Sequence, residues 1–378
     1  MFLVLLDCHR VLVLQKHHQQ VILVVDVVDL GSSPGSKHHM RLECEVHPDW
    51  PRSSAAGVHS RLYLWWHLLD RKDSVAQAVQ VAVGADLIVL AVGVAWNNDG
   101  ENAERATLGL SRGQATHHPA ALSSYSNLLL AKLTQEIFLL GKPVVLVLQG
   151  GHPFALLEYY AQSAAVLSTG FPGQAAGQAI TDVLFGGFNP GGRLTMSVPY
   201  DAGSLPVYYN QRTTKDDAHI PYYLDIPKPA TYSFGYGLSY TTFSQALKGA
   251  ISTTEGTKPG IFSNGDTIAF SASVTNSGKI AGSHVPQIYL LRRHGSSVTT
   301  PDKQHVASTR PYLDAGETAT ATLKLEVDRF LPVINRSYER VLEAGEYRFA
   351  LMDDGSPEAP VLGELTLKVK QSFKYEKY

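Results

Sequence analysis

Cysteine is almost missing from this chain: Cys8 and Cys44 are the only two in 378 residues. A single disulfide between them would not staple a chain of this length, so stability has to come from packed cores. An excess of charge of one sign is also missing. Lys and Arg number 32 against 34 Asp and Glu, a formal net charge of −2. That balance gives no field to draw in nucleic acid or an anionic membrane. No apolar run reaches the roughly 18 residues of a transmembrane helix. The opening Met1-Phe-Leu-Val-Leu-Leu6 is interrupted at once by Asp7, His9 and Arg10. It fits poorly the basic lead, longer apolar centre and small-residue cleavage site expected of a secretory signal. No G-x-G-x-x-G opens a helix after the first strand-like run, so no dinucleotide site is expected. His17-His18 and His38-His39 are adjacent pairs. In a strand such neighbours point to opposite faces and suit a shared metal ion poorly. No metal or organic cofactor is expected.

Apolar material is present in quantity. Hydrophobic residues make up 44% of the chain, which excludes a wholly disordered protein. The length suits two or three domains at roughly 150 residues each. Residues 1–72 carry apolar bursts at 11–14 and 21–28 but no lasting period, and read as an irregular N-terminal segment. From Asp73 the pattern becomes regular. A helix capped by Asp73 or Ser74 carries Val75, Ala76, Val79, Ala82 and Val83. Residues 86–92 follow as a continuous Val/Ile/Leu strand of the kind buried on both faces of a parallel sheet.

A second helix is expected from about Asn127 to Leu140, stopped by Gly141 and Pro143. Buried strands are expected at 143–148 and 164–168, a short helix near 155–161, a strong helix over 174–185 and a further strand at 194–198. Strands alternating with helices argue a doubly wound, mostly parallel α/β sheet over 73–200. Three strand ends run into glycine-rich loops, at 93–100, 150–151 and 170–173. In parallel strands those ends share one edge, where a ligand crevice is expected.

Residues 201–249 read as a linker rich in Tyr, Pro and Gly. From 250 to 372 the period changes to two, with strands expected at 267–274, 284–291, 318–325, 345–352 and 362–369. Turn signals between them point to an all-β sandwich of the immunoglobulin or fibronectin III type. Asn335-Arg-Ser337 is a glycosylation sequon, relevant if the protein is secreted.

Several stretches are familiar when taken together. They are Ala85-Asp-Leu-Ile-Val-Leu-Ala-Val-Gly93, Asp99-Gly-Glu-Asn-Ala-Glu-Arg105, Gly141-Lys-Pro-Val-Val-Leu-Val-Leu148, Phe171-Pro-Gly-Gln174 with Asp182-Val-Leu-Phe-Gly186, Asn189-Pro-Gly-Gly-Arg-Leu194, and Phe234-Gly-Tyr-Gly-Leu-Ser-Tyr-Thr-Thr-Phe243. Val274-Thr-Asn-Ser-Gly278, Gly282 and Gln287-Ile-Tyr-Leu290 add a fibronectin type III-like tail. In this order they resemble glycoside hydrolase family 3, the β-glucosidase and β-xylosidase family, over about residues 73–370.

The resemblance implies an exo-β-glycosidase acting in the breakdown of plant polysaccharides or oligosaccharides. The partner would be an oligosaccharide ending in β-linked glucose or xylose, and the location extracellular. It implies that Glu101 holds the acid/base position. Arg105 keeps the usual Arg, and Glu104 replaces the usual Asp. Glu104 and Arg105 then read as an ion pair shaping the loop, and Asp99 as its cap or turn.

The family's nucleophile is an Asp on an N-terminal (β/α)8 barrel. The first 70 residues are far short of the roughly 250 that a barrel takes. The catalytic barrel is thus missing from this chain and is expected in a longer gene product. The isolated chain is expected to be inactive, a remnant with a carbohydrate-binding or structural role. The irregular start and the segment 115–127, which looks inserted, suggest a truncated or mis-spliced reading frame.

Overall fold

A computed structural model of the chain describes residues 2–4, 21–25, 74–93, 107–110, 122–212, 225–252 and 259–376. The histidine pairs at 17–18 and 38–39, Cys8, Cys44, Tyr222-Tyr223 and most of 115–127 lie outside them. Two compact units emerge, residues 1–188 with 199–205, and residues 189–198 with 206–378.

The first unit is built on one five-stranded sheet. In chain order its elements are β1 (Phe2–Val4), β2 (Val21–Val25), α1 (Ser74–Val83), β3 (Leu87–Gly93), α2 (Leu122–Leu139), β4 (Val144–Gln149), α3 (Leu157–Gln162), β5 (Ala165–Gly170) and α4 (Ala176–Leu184). The sheet order is β1-β5-β4-β3-β2. Neighbours from β2 to β5 run parallel, and β1 closes the sheet antiparallel to β5. The apolar burst at 21–28 thus supplies a strand of the sheet. The middle of β3 is buried, with Ile88 and Leu90 fully so. This is why its sequence is an unbroken apolar run rather than an alternation. Fully burying each such side chain is worth about 1.5–3 kcal/mol.

Burial corrects two details of the expected pattern. In α1 the inward face is Val75, Ala78 and Ala82, while Ala76 and Val83 are exposed; Val75, Ala78 and Ala82 follow the i, i+3, i+7 spacing of one helical stripe. Helix α2 starts at Leu122, not near Asn127, so the polar Ser-Ser-Tyr-Ser run is helical. Its described inward residues are Leu133, Thr134, Ile137 and Phe138. Gly141 at φ 65° follows the end of this helix, a backbone value that costs glycine nothing.

The second unit is a β-sandwich. After β6 (Val198–Pro199), whose two residues fall one in each unit, its elements are β7 (Ala230–Tyr232), β8 (Phe243–Ser252), β9 (Thr267–Asn276), β10 (Gly282–Ser283), β11 (Gln287–Leu291), β12 (Lys303–Ser308), β13 (Tyr312–Leu313), β14 (Thr318–Glu326), α5 (Val327–Phe330), β15 (Val333–Ile334), β16 (Arg340–Leu342), β17 (Gly345–Met352), β18 (Val361–Val369) and β19 (Phe373–Lys374). One main sheet has the order β14-β9-β8 and the other β12-β11-β17-β18, with antiparallel neighbours throughout. Every second residue of β9 is buried, as a strand with one face in a core requires. Ile268, Phe270, Ala272 and Val274 meet Tyr347, Phe349 and Leu351 of the other sheet in one apolar core. Phe270 and Phe349 pack with ring centroids 5.1 Å apart.

The stretch 194–198 is not a strand of the parallel sheet. Leu194 belongs to the second unit, where it exchanges backbone hydrogen bonds with the segment after β7. Its N–H donates to Tyr236 O, and the Gly235 N–H donates to its carbonyl.

Candidate active site

The parallel sheet presents its C-terminal edge as a row. Gly93 of β3 pairs with Gln149 of β4, and Gln149 pairs with Gly170 of β5. The three glycine-rich loops leave from that row. Gly150 N–H donates to Gly170 O at 3.1 Å, and the Thr169 hydroxyl donates to Leu148 O at 3.0 Å, so β4 and β5 are tied where they end. Gly93 is required by close approach, since a Cβ there would overlap the Gln149 carbonyl. The strand that launches the carboxylate loop is thereby held flush against its neighbour.

Asp99, Glu101, Glu104 and Arg105 lie outside the described residues, between Gly93 and Thr107. The two ends of their loop are described. It leaves from Gly93 in the edge row and returns at residues 107–110. There the Leu108 carbonyl accepts from Ala155 N–H at 2.9 Å and Leu110 is buried. Ala155 sits in the segment that follows β4. Beside it Phe154 is buried, packed against the His152 ring at 4.6 Å, and the Phe154 carbonyl accepts from the Tyr160 hydroxyl at 2.7 Å. The loop is therefore anchored at both ends to the same sheet edge. Sequence reasoning identifies the loop but not this return anchor, because the Leu108–Ala155 bond uses backbone groups only.

The other familiar stretches have a different role. Asn189 donates to Ala281 O at 3.0 Å, and its carbonyl oxygen accepts from the Ser239 hydroxyl at 2.8 Å and the Tyr240 N–H at 2.9 Å. Arg193 donates to Gly237 O and faces His284 Nδ1 at 3.2 Å. Burial, and then the Arg193 charge, push the His284 pKa down to about 3. The imidazole is therefore neutral and accepts from the guanidinium. Gln287 bridges Gly235 O at 3.0 Å and Asp353 O at 2.6 Å, and accepts from Tyr289 OH at 2.8 Å. Burial raises the Tyr289 pKa, which keeps that phenol a donor. Gly235 stands at φ 84° with no room for a Cβ beside the Gln287 amide.

Asn276 makes four bonds with its side chain. It accepts from Thr241 Oγ1 at 2.7 Å and Gly278 N–H at 3.1 Å, and donates to Ile280 O at 2.8 Å and Leu313 O at 3.1 Å. Tyr209 stacks on Phe234 at 4.2 Å, against the outer cluster of Tyr289, Ala350 and Met352. These motifs form the hydrogen-bonded frame of the second unit.

A doubly wound sheet with a loop-bearing edge and a β-sandwich laced by these motifs are the two units of the chain. The model of the glycosyl hydrolase family 3 C-terminal domain matches residues 3–240, and the chain belongs to that family. A fibronectin type III-like domain matches residues 284–354. The chain is 34% identical to a β-xylosidase of Formosa agariphila, over 79% of this chain and 38% of that protein. It is 33% identical to a periplasmic β-glucosidase of Salmonella typhimurium, over 72% of this chain and 33% of that protein. Among solved structures, a β-glucosidase of Listeria innocua superposes with a TM-score of 0.70 at 27% identity, covering 97% of this chain and 48% of that one. The chain spans between a third and two fifths of the length of these two curated relatives.

Proposed function

We propose that this chain supplies the proton-donating half of a family 3 exo-β-glycosidase site, acting on oligosaccharides that end in β-linked glucose or xylose. One observation carries the reading. The loop that matches the family's acid/base motif leaves and returns at the C-terminal edge of a parallel sheet, the place where α/β sheets present ligand-binding groups. On this loop Glu101 donates a proton to the glycosidic oxygen as the bond breaks, and takes one from water in the second step. A carboxyl in that role has to be protonated when substrate binds, which calls for a site that shields it from water and raises its pKa. Glu104 and Arg105 pair to hold the loop's shape, and Asp99 caps its turn.

Retaining hydrolysis needs a second carboxylate about 5–5.5 Å from the first. In this reading it is the Asp of a barrel domain that residues 1–378 do not contain. The chain alone then does not turn over substrate, and it works outside the cytoplasm as the Salmonella relative's name indicates for that enzyme.

The test is hydrolysis of aryl β-glucosides and β-xylosides by the chain with and without a family 3 barrel domain supplied as a separate polypeptide. Turnover is expected only in the mixture, and is expected to fall by about 10²–10⁴-fold with Glu101→Gln. Turnover in the mixture that is unchanged by Glu101→Gln would overturn the assignment of Glu101. Saccharide binding without turnover under any condition would leave the chain a carbohydrate-binding or structural relative of the family.

A further inference from the structure

The second unit contains a cavity of about 530 Å³, within the size range of small-ligand sites. Its wall includes Arg212, Arg293, Arg329, Thr299, Gln304 and Phe330, and among the described residues no Asp or Glu lines it. Arg293 is ion-paired with Glu343, so Arg212 and Arg329 supply the local positive field in a chain whose net charge is −2. Among the described residues every cation on the wall is arginine rather than lysine. The planar fork of guanidinium matches a carboxylate through two parallel hydrogen bonds, a geometry that an ammonium lacks.

The three arginines are held differently. Arg293 is buried, pairs with Glu343 at 2.9 Å and lies over the Tyr347 ring at 3.8 Å. Its Nε is buried and has no hydrogen-bond partner among the described residues. Arg212 and Arg329 are exposed and make no ion pair among the described residues. Arg329 lies 5.2 Å from the Phe330 ring centroid, so charge and apolar surface adjoin on one wall. Thr299 and Gln304 add neutral groups able to meet hydroxyls.

We propose that this cavity binds an acidic oligosaccharide, with the carboxylate of a uronic acid held by the arginines and the sugar body resting against Phe330. The choice of a saccharide over another carboxylate rests on the glycosidase reading. The carboxylate preference rests on the cavity.

Calorimetric titration of the full chain with trigalacturonic acid, xylotriose and sodium sulfate tests it. The acidic trimer is expected to bind, and Arg212→Ala and Arg329→Ala are each expected to weaken it at least tenfold with unchanged melting temperature. Arg329→Lys is expected to weaken it less than Arg329→Ala. Sulfate binding as tightly as the trimer would overturn the saccharide assignment. Xylotriose binding equally well, no trimer binding, or arginine variants without effect would overturn the cavity as an acidic-sugar site. Glu101→Gln is expected to leave trimer binding intact, so a failure of the hydrolysis reading and a failure of this one are read separately. Trimer binding lost in Glu101→Gln but kept in the arginine variants would place the ligand at the loop and overturn the proposal.

Discussion

In the first unit the family-matching residues run to the end of a sheet and into a loop; in the second they hydrogen-bond to one another. Gly93 brings β3 against Gln149 so that the chain can leave the edge row carrying Glu101. Asn189, Arg193, Gly235, Asn276 and Gln287 instead spend nearly all their polar atoms on partners within their own unit. Similar motif strength in the sequence therefore marks two physical demands. One is a backbone path that sends the chain off the sheet edge into the loop proposed to hold the acid/base, and the other is a polar frame that tolerates no unmatched donor. Substitutions should separate them, because the first changes rate without stability and the second does the reverse.

The largest expected effect is on rate. With the barrel supplied, Glu101→Gln should lower hydrolysis by about 10²–10⁴-fold, the usual contribution of a general acid, and leave unfolding unchanged. Next comes the sandwich core. Phe270 is fully buried and packs on Phe349, so Phe270→Ala should cost about 3–5 kcal/mol in denaturant unfolding of the second unit. Asn276→Ala should follow at about 2–3 kcal/mol, because it strands the buried groups that its amide now satisfies. A smaller loss there would weaken the view that this motif is a frame.

Acid gives a graded effect. His284 is neutral when folded, with a pKa near 3, while in the unfolded chain it protonates near 6.5. Stability should be level above about pH 6.5 and fall as pH drops towards 3, because the unfolded state takes up the proton first; the slope for one such group approaches about 1.4 kcal/mol per pH unit. His305, also lowered by burial, adds with the same sign. Melting curves of wild type and His284→Gln between pH 7.5 and 5 check this, since the variant should lose part of the decline. The smallest effect belongs to the exposed pair of Arg348 and Glu364, whose shorter contact is 2.7 Å. Arg348→Ala should change stability by only about 0.2–1 kcal/mol, and salt should erase the difference.

Much of both sheets was legible in the sequence. The runs at 86–92, 143–148 and 164–168 became β3, β4 and β5, and the alternating stretches became β9, β14, β17 and β18. Strands with a weaker signal were missed. β8 mixes Lys248 and Gly249 into a face that is only half buried, so no period of two stands out. β12, Lys-Gln-His-Val-Ala-Ser, is a polar strand at the end of its sheet, where one neighbour is lacking and apolar pressure is low. β2 pairs with a strand 66 positions later and β1 with one about 164 positions later, which no local period reports.

What the sequence by itself determined is the class of each half and the candidate proton donor. Buried parallel strands, one-sided antiparallel strands and a Gly-Glu-x-x-Glu-Arg loop each leave a local record in residue type and spacing. Only the tertiary structure decided which residues meet. It put Gly93, Gln149 and Gly170 in one row, joined Leu108 to Ala155, gave Asn276 its four partners and gathered three arginines around one cavity. Such meetings depend on hydrogen bonds and packing between segments far apart in the chain, and those interactions have no period along it.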